Sequence, residues 1–359
     1  MPFPFVLVGG GTGGHIYPVL AVGNALRERG HKLLFIGTPQ GMEARIIPEH
    51  GFEMAFVKSG GLNRVGLQQR VRTAAVLPMA VLASAKILRT FQPRAVFSMG
   101  GYVAGPVTLA ALLERIPLIV MEPNAVPGAA NRWVGRGVYR ALVGFEETAR
   151  FFPQGRAEVI GLPVRAEFFR VQRKAASVFT VLITGGSRGA RTLNRAARES
   201  WGMFREAKSP IRIVHQTGTA EHAALASEFA QTGLQGEVVP FLNDMPKAFA
   251  EADLVIARAG ASTIGELAAA GMPSVLVPFP FAADDHQRKN AEAVANAGGA
   301  RMVLDQEFAG RELFEQVEDL RARPAALEEM RERVRRFARP GAAERAAQVL
   351  EEAAERKRS

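Results

Sequence analysis

Three glycine-rich clusters hold the residue types in this chain that could do chemistry. The first, Gly9-Gly10-Gly11-Thr12-Gly13-Gly14-His15, follows an apolar run and satisfies G-x-G-x-x-G through Gly9, Gly11 and Gly14. Glycines there let backbone N–H groups approach an anion at the positive N-terminus of the helix that begins near His15. A dinucleotide site also needs an acidic residue about 20 positions on, at the end of the second strand, to hold the ribose. The chain reads Phe35-Ile36-Gly37-Thr38 at that place, so the acid is missing. What remains is a cradle for a phosphate or for an oxygen on which charge develops, or else a tight turn with no ligand.

The second cluster, Thr184-Gly185-Gly186-Ser187-Arg188-Gly189-Ala190, again lies between a strand pattern and a helix pattern and suggests a second anion cradle. It also fits G-x-S-x-G, the nucleophile elbow of hydrolases, with Ser187 as nucleophile and Asp284 and His286 formally available as partners. Those two are only two residues apart, no HGGG-type loop supplies an oxyanion hole, and the elbow would open a sheet instead of lying within one. Hydrolysis is therefore disfavoured. The third cluster, Ala257-Arg258-Ala259-Gly260-Ala261-Ser262-Thr263-Ile264-Gly265-Glu266, puts hydroxyls and small residues at a helix N-terminus. The N–H groups of Ser262 and Thr263 can face a diphosphate while Glu266 accepts from both ribose hydroxyls; a carboxylate favoured only by the helix dipole reads the same way. The loop that follows, PFPFAADDHQRKN at 278–290, is rich in groups that bond sugar hydroxyls, as a solvated loop also is.

Absences narrow the chemistry. The 359 residues include no cysteine, which removes a disulfide scaffold, a thiolate zinc site, an iron–sulfur cluster and a cysteine nucleophile together, and permits a reducing compartment. The aspartates never form D-x-D and the histidines never form H-x-x-x-H, so no sequence-local divalent-metal motif is present.

Strands must place these clusters. Short apolar runs bounded by glycine or proline alternate with helical-period stretches, the pattern of βα units around parallel sheets. Strands are expected at 5–8, 32–36, 53–57, 95–98, 118–121, 141–143 and 158–160, and again at 179–183, 212–215, 238–241, 254–257, 274–277 and 300–303. The fold class is α/β, with two doubly wound parallel sheets. A single core stops growing near roughly 250 residues, so the length asks for two domains. The stretch 161–165, followed by the polar run 170–177, is the expected linker. The division reads 1–161, then 162–340, then a C-terminal helix at 341–359 that can pack back on the first domain. Each sheet carries a glycine-rich turn at the carboxyl end of its first strand, as a transferase with two anionic substrates facing one cleft would be built.

Charge adds a surface. The net charge is +10, which favours anionic partners. Residues 54–113 contain no Asp or Glu but hold Lys58, Arg64, Arg70, Arg72, Lys86, Arg89 and Arg94 among apolar side chains. Their apolar core at 74–85 is too short for a span, which needs about 20 residues, and contains Pro78. The N-terminus lacks the basic region and cleavage site of a signal peptide, so a cytoplasmic protein is expected. The clustered aromatics and recognition helices of nucleic-acid binders are not evident, and no nucleic-acid partner is expected.

Through GGGTGGHIYPVLAV, GMEARI, MGGYVAGP, NAVPG, GLPVR, ITGGSRGARTLN, QTG, FLNDM and RAGASTIGELAAAGMPSVLVPFPFAADDHQRKNA, from position 8 to about 300, the chain resembles the MurG family of glycosyltransferases. The resemblance implies a GT-B architecture, two Rossmann-like domains facing a central cleft. It implies inverting, metal-independent and cofactor-free transfer of N-acetylglucosamine from UDP-N-acetylglucosamine to the 4-hydroxyl of the undecaprenyl-pyrophosphoryl-N-acetylmuramyl-pentapeptide. That step serves peptidoglycan synthesis, and so cell-wall biogenesis, cell shape and division, at the cytoplasmic face of the inner membrane. The lipid acceptor and an anionic membrane surface would meet the N-terminal domain, and the UDP-sugar the C-terminal one. By the same resemblance Thr12, Gly13 and Gly14 contact the acceptor side, His15 is the suspected base, and Asn124 and Arg165 line the cleft. Ser187 would meet the diphosphate, Leu242 the uracil through its backbone, Ser262 and Thr263 the phosphates, and Glu266 the ribose. Gln287 and Asn290 would read the sugar hydroxyls, with His286 beside them. The family commonly has His-Glu-Gln-Asn where this chain has Met121-Glu122-Pro123-Asn124, which removes the His and the Gln but keeps Glu122. Direct displacement at the sugar C1 would then use His15 or Glu122 as base, with UDP leaving against helix dipoles and Arg165. The rival readings are a UDP-N-acetylglucosamine 2-epimerase of the same fold and a non-enzymatic basic protein that binds membranes or nucleic acid.

Overall fold

Runs that read as continuously apolar become strands covered on both faces, and a polar residue near a strand end marks where the chain leaves the sheet. The computed structural model describes residues 2–11, 13–58, 67–101, 103–173, 178–186 and 189–356. Contacts divide the chain into one unit of Met1–Arg165 with Gly341–Ser359 and a second of Ala166–Pro340.

The first unit begins with β1 (Pro4–Val8), α1 (Gly13–Glu28), β2 (Lys32–Gly37), α2 (Glu43–Glu49), β3 (Met54–Phe56) and α3 (Leu67–Phe91). It continues with β4 (Ala95–Ser98), α4 (Ala104–Leu113), β5 (Leu118–Glu122), α5 (Ala129–Val134), β6 (Arg140–Val143) and β7 (Ala157–Val159). The strands form one parallel sheet in the order β3-β2-β1-β4-β5-β6-β7, with Val8 paired to both Ile36 and Ser98. The central strand β1 is inaccessible from Phe5 to Val8, as a strand under helices on both faces must be.

The second unit opens with α6 (Ala166–Phe169), β8 (Phe179–Thr184), α7 (Arg191–Glu206), β9 (Ile211–Gln216), α8 (His222–Ala230) and β10 (Gln235–Val239). Then come α9 (Met245–Glu251), β11 (Leu254–Ala257), α10 (Ala261–Ala270), β12 (Ser274–Leu276), α11 (His286–Asn296), β13 (Arg301–Met302), α12 (Gly310–Arg321) and α13 (Pro324–Arg335). Its parallel sheet runs β10-β9-β8-β11-β12-β13. The last helix, α14 (Ala342–Arg356), belongs to the first unit and packs on α1 and β4. Its buried face is mostly alanine, Ala346, Ala347, Ala353 and Ala354 beside Val349 and Leu350, which permits close approach. Arg345 to Glu158 and Arg29 to Glu351 pin its rim.

Three details depart from the sequence reading. The division falls after Arg165 instead of after Gly161, and the first part of the expected linker is packed, with Leu162 buried in the first unit; just beyond it Phe168 meets Phe249 edge-on at 5.5 Å in the second. Residues 174–177 of the polar run lie outside the described residues. The strand expected at 238–241 is Gln235–Val239, because an edge strand pairs on one side only and can carry the exposed Gln235 and Glu237. Among the described residues no helix is long and apolar enough to cross a membrane.

Candidate active site

In each unit the strand order reverses beside the first strand of the sheet, between β1 and β4 and between β8 and β11. The crevice outside the carboxyl ends of strands at such a reversal is where open α/β sheets take ligands. In the first unit the turn after β1 and the Met99-Gly100-Gly101 turn after β4 flank that crevice, and they touch. A Cβ on Gly101, whose φ is +87°, would lie 2.7 Å from the Gly10 carbonyl oxygen and 3.6 Å from His15 Nδ1. Only glycine fits, and its lack of a side chain lets the half-buried His15 stand beside both turns. Gly13 and Gly14 start α1; Thr12 lies outside the described residues.

Glu122 ends β5 and is buried. Its Oε1 accepts from Asn124 N–H and Asn124 Nδ2, each at 3.0 Å; its Oε2 accepts from Gly128 N–H at 3.0 Å and Asn131 Nδ2 at 2.9 Å. Burial pushes its carboxyl above the usual carboxylate value, against these hydrogen bonds, which favour the charged form. A carboxylate offers about four lone-pair sites, and four donors fill them. Glu122 therefore closes the 122–131 loop and holds Asn124, with no site left to take a proton from a substrate, so the geometry points away from a base role. Thr148 Oγ1 donates to the Asn124 carbonyl at 2.9 Å. Arg165 places its guanidinium 5.2 Å from the ring centre of Tyr17 on α1, which aims it toward the helix that carries His15.

In the second unit the turn after β8 meets the loop after β10 through Gln216. Its Nε2 donates to the Gly186 carbonyl at 2.8 Å and its Oε1 accepts the Leu242 N–H at 3.0 Å. Ser187 lies outside the described residues. Ser262 and Thr263 are half-buried in the first turn of α10, whose N-cap Gly260 makes no side-chain cap, and Glu266 is half-buried one turn further on. His286 and Gln287 open α11, with Gln287 Oε1 accepting the Phe279 N–H at 3.0 Å. Asn290 on α11 is fully buried, and its Nδ2 donates to the Ala259 carbonyl at 3.3 Å, bracing the turn after β11.

The sequence reading passed over Glu43, Asn131, Asn194 and Gln216. Gln216 and Glu43 sit inside QTG and GMEARI, just past apolar strand runs, and a polar residue so placed was the available signal. Asn194 donates to the Thr217 carbonyl and to Glu221 Oε2, which turns its Oδ1 toward His215 Nε2 at 3.0 Å. The imidazole must then donate from Nε2. Burial lowers the His215 pKa to about 4. Since the unfolded chain takes this proton first, stability from His215 is present above the ordinary histidine value of about 6.5 and is lost as pH falls towards 4. The loss amounts to about 3 kcal/mol at 1.36 kcal/mol per pH unit. Urea midpoints across that window, compared with those of His215→Asn, check it: the variant flattens the slope, and an unchanged slope rejects the assignment.

Comparison with known proteins follows the same division. Residues 5–143 match the glycosyltransferase family 28 N-terminal domain and residues 180–346 the glycosyltransferase family 28 C-terminal domain. A protein of Solibacter usitatus (strain Ellin6076), named UDP-N-acetylglucosamine--N-acetylmuramyl-(pentapeptide) pyrophosphoryl-undecaprenol N-acetylglucosamine transferase, is 56% identical over 98% of this chain and 96% of its own length. A Myxococcus xanthus (strain DK1622) protein of the same name is 38% identical over 96% of this chain and 91% of its own. The crystal structure of Acinetobacter baumannii MurG superposes with a TM-score of 0.80 at 30% identity, covering 98% of this chain and 100% of that one.

Proposed function

The chain belongs to glycosyltransferase family 28, and from that premise we propose that it moves N-acetylglucosamine from UDP-N-acetylglucosamine onto the 4-hydroxyl of an undecaprenyl-pyrophosphoryl-N-acetylmuramyl-pentapeptide, a step of peptidoglycan synthesis. The observation that carries this reading is the 56% identity to a transferase of that name across nearly the whole chain. The acceptor oxygen attacks C1 from the face opposite the diphosphate, a C–O bond forms, and the bond to UDP breaks with its electron pair going to the leaving phosphate oxygen. The acceptor proton goes to His15, because Glu122 has no open lone pair.

The first unit takes the acceptor through the Gly9–His15 turn, with Asn124 held by Glu122. The second takes the donor: the α10 N-terminus with Ser262 and Thr263 faces the diphosphate, Glu266 the ribose, and His286 and Gln287 the sugar. Leu242 gives its N–H to Gln216, so its carbonyl is the group that meets the uracil ring N–H. No metal or cofactor enters this scheme.

The same unit offers a surface for an anionic leaflet. Leu77, Met79 and Leu82 on α3 and Leu109 and Leu113 on α4 are exposed, α3 and α4 pack together, and the exposed Lys86 lies on α3, where Arg89 is ion-paired with Glu114. Trp133, 91% exposed, stands between the exposed Arg132 and Arg136. Each cation near such a leaflet adds about 1 kcal/mol, and apolar tips insert between headgroups. Arg64 lies outside the described residues. A peripheral site on the cytoplasmic face follows from where the substrates meet.

Transfer of labelled N-acetylglucosamine to the lipid in detergent, with excess chelator, tests the reading. Transfer that persists under chelation is the expected result. Conversion of the donor to its 2-epimer without any acceptor would overturn it in favour of the epimerase, which the names of the relatives do not favour.

A further inference from the structure

Around the amino ends of β5, β6 and β7 the first unit gathers four arginines. Two adjoining cavities of about 470 and 440 Å³ share Tyr139, Arg140 and Arg356, and Arg115 and Arg156 line the second. Arg115 follows α4, Arg140 opens β6, Arg156 precedes β7 and Arg356 ends α14, so four separate stretches of chain converge here. The Arg140 and Arg356 guanidinium groups stand 6.0 and 5.9 Å from the ring centre of Tyr139. Arg140 donates to the Gly155 carbonyl at 2.8 Å, and Arg156 donates to the Val138 carbonyl at 2.7 Å and the Arg136 carbonyl at 3.1 Å. These bonds fix where the two guanidinium groups stand but leave their charge uncompensated. Among the described residues none of Arg115, Arg140 and Arg156 has a carboxylate partner, and Arg140 Nε is buried with no hydrogen-bond partner. The nearby acids are committed elsewhere: Glu114, beside Arg115 in the chain, pairs with Arg89 at 2.7 Å, and Glu352 on the cavity wall pairs with Arg345 at 2.7 Å.

Charge decides what such a cavity takes. Its walls carry four guanidinium groups against two carboxylates, Glu352 and Glu355. The excess of two positive charges matches a phosphomonoester, which carries about 1.5 to 2 negative charges at neutral pH, better than a lone carboxylate, which carries one. Guanidinium is also the group whose planar fork takes phosphate oxygens in pairs, and a buried N–H without an acceptor is a bond that an oxyanion completes. We propose that this cavity binds a phosphomonoester, carried either by the headgroup of a membrane lipid or by a soluble phosphate. The site is separate from the transfer reaction and does not rest on it. The glycine turns and Asn124 follow the carboxyl ends of their strands, whereas these arginines stand at the amino ends, roughly 15 Å away along the five-residue β5. Leu112 lines the second cavity and its chain neighbour Leu113 is exposed, so apolar surface for a lipid's chains adjoins the site.

Glycerol 1-phosphate and vesicles of phosphatidylcholine with phosphatidic acid present the same phosphomonoester free and on a lipid. The variant to compare combines Arg115→Lys with Arg356→Lys: both residues are exposed, both charges stay, and only the guanidinium fork is lost. With UDP saturating, so that the donor site proposed above is filled, calorimetry should show the variant binding glycerol 1-phosphate at least about fivefold more weakly than the wild type, which identifies a soluble ligand. A wild type indifferent to glycerol 1-phosphate that binds the phosphatidic acid vesicles at least about fivefold more tightly than the variant identifies a lipid headgroup. A loss with both probes assigns the cavity to the phosphomonoester whatever carries it. Diffuse attraction of a basic surface to a leaflet does not tell lysine from arginine, so a variant equal to the wild type toward both probes, or a wild type that binds neither, overturns the proposal. Transfer in detergent should be the same in variant and wild type, and a loss that matches the loss of phosphate binding overturns the separation from the transfer site.

Discussion

Replacing His15 by alanine lowers turnover by roughly 10² to 10⁴ while UDP affinity stays within about twofold, the loss that removal of a general base produces. The imidazole is the candidate whose place suits the task. It stands on the first turn of α1, beside the two turns that flank the crevice at the β1 and β4 reversal. The other candidate, Glu122, has its acceptor sites filled by the loop it closes. Single-turnover transfer with donor and acceptor saturating measures the effect free of binding, and UDP titration reports separately on the second unit. A loss under about tenfold removes His15 from the role, and a matching loss of UDP affinity would mean that the substitution had damaged more than the acceptor side.

How much of this could be read beforehand depended on whether a residue acts through pattern or through position. Every expected strand was found, because a strand buried on both faces has to be apolar along its length, as Val6, Leu7 and Val8 are, and glycine has to follow where the chain turns sharply into a helix. The exception in register, Gln235–Val239, is an edge strand whose solvent side accepts polar residues, so its apolar end drew the reading too far along the chain. The packed segment around Leu162 read as a linker because a short buried coil has no period. At the sites, the glycine turns and the Ser262-Thr263-Glu266 helix start were legible from residue types alone. Glu43 was not, since it lies beyond the end of β2 and reaches Gly11 only because α2 folds back over the turn. The bond from Asn290 to the Ala259 carbonyl was likewise illegible, since an amide in a polar loop gives no sign in the sequence of bracing the turn after β11.

Glu122 allows a sharper test than truncation, because its two possible roles make opposite demands of an isosteric substitution. A base replaced by glutamine loses its proton acceptor and nothing else, so turnover falls while the melting temperature holds. A brace replaced by glutamine keeps one oxygen for the two Asn124 donors but turns an NH₂ group onto Gly128 N–H and Asn131 Nδ2, setting donors against donors at a buried site. Leaving buried donors without acceptors costs about 1–3 kcal/mol each, so Glu122→Gln should lose roughly 2–5 kcal/mol, as much as Glu122→Ala. For a unit of this size that lowers the melting temperature by roughly 5–15 °C. Both variants should also lose at least tenfold in turnover at a temperature where they remain folded, since Asn124 is no longer held, and both should keep the wild-type shape of the pH–rate profile, because His15 still carries the proton. A Glu122→Gln protein that melts with the wild type yet has lost its turnover and its acid-side pH dependence would return the proton to Glu122 and release His15 from the mechanism.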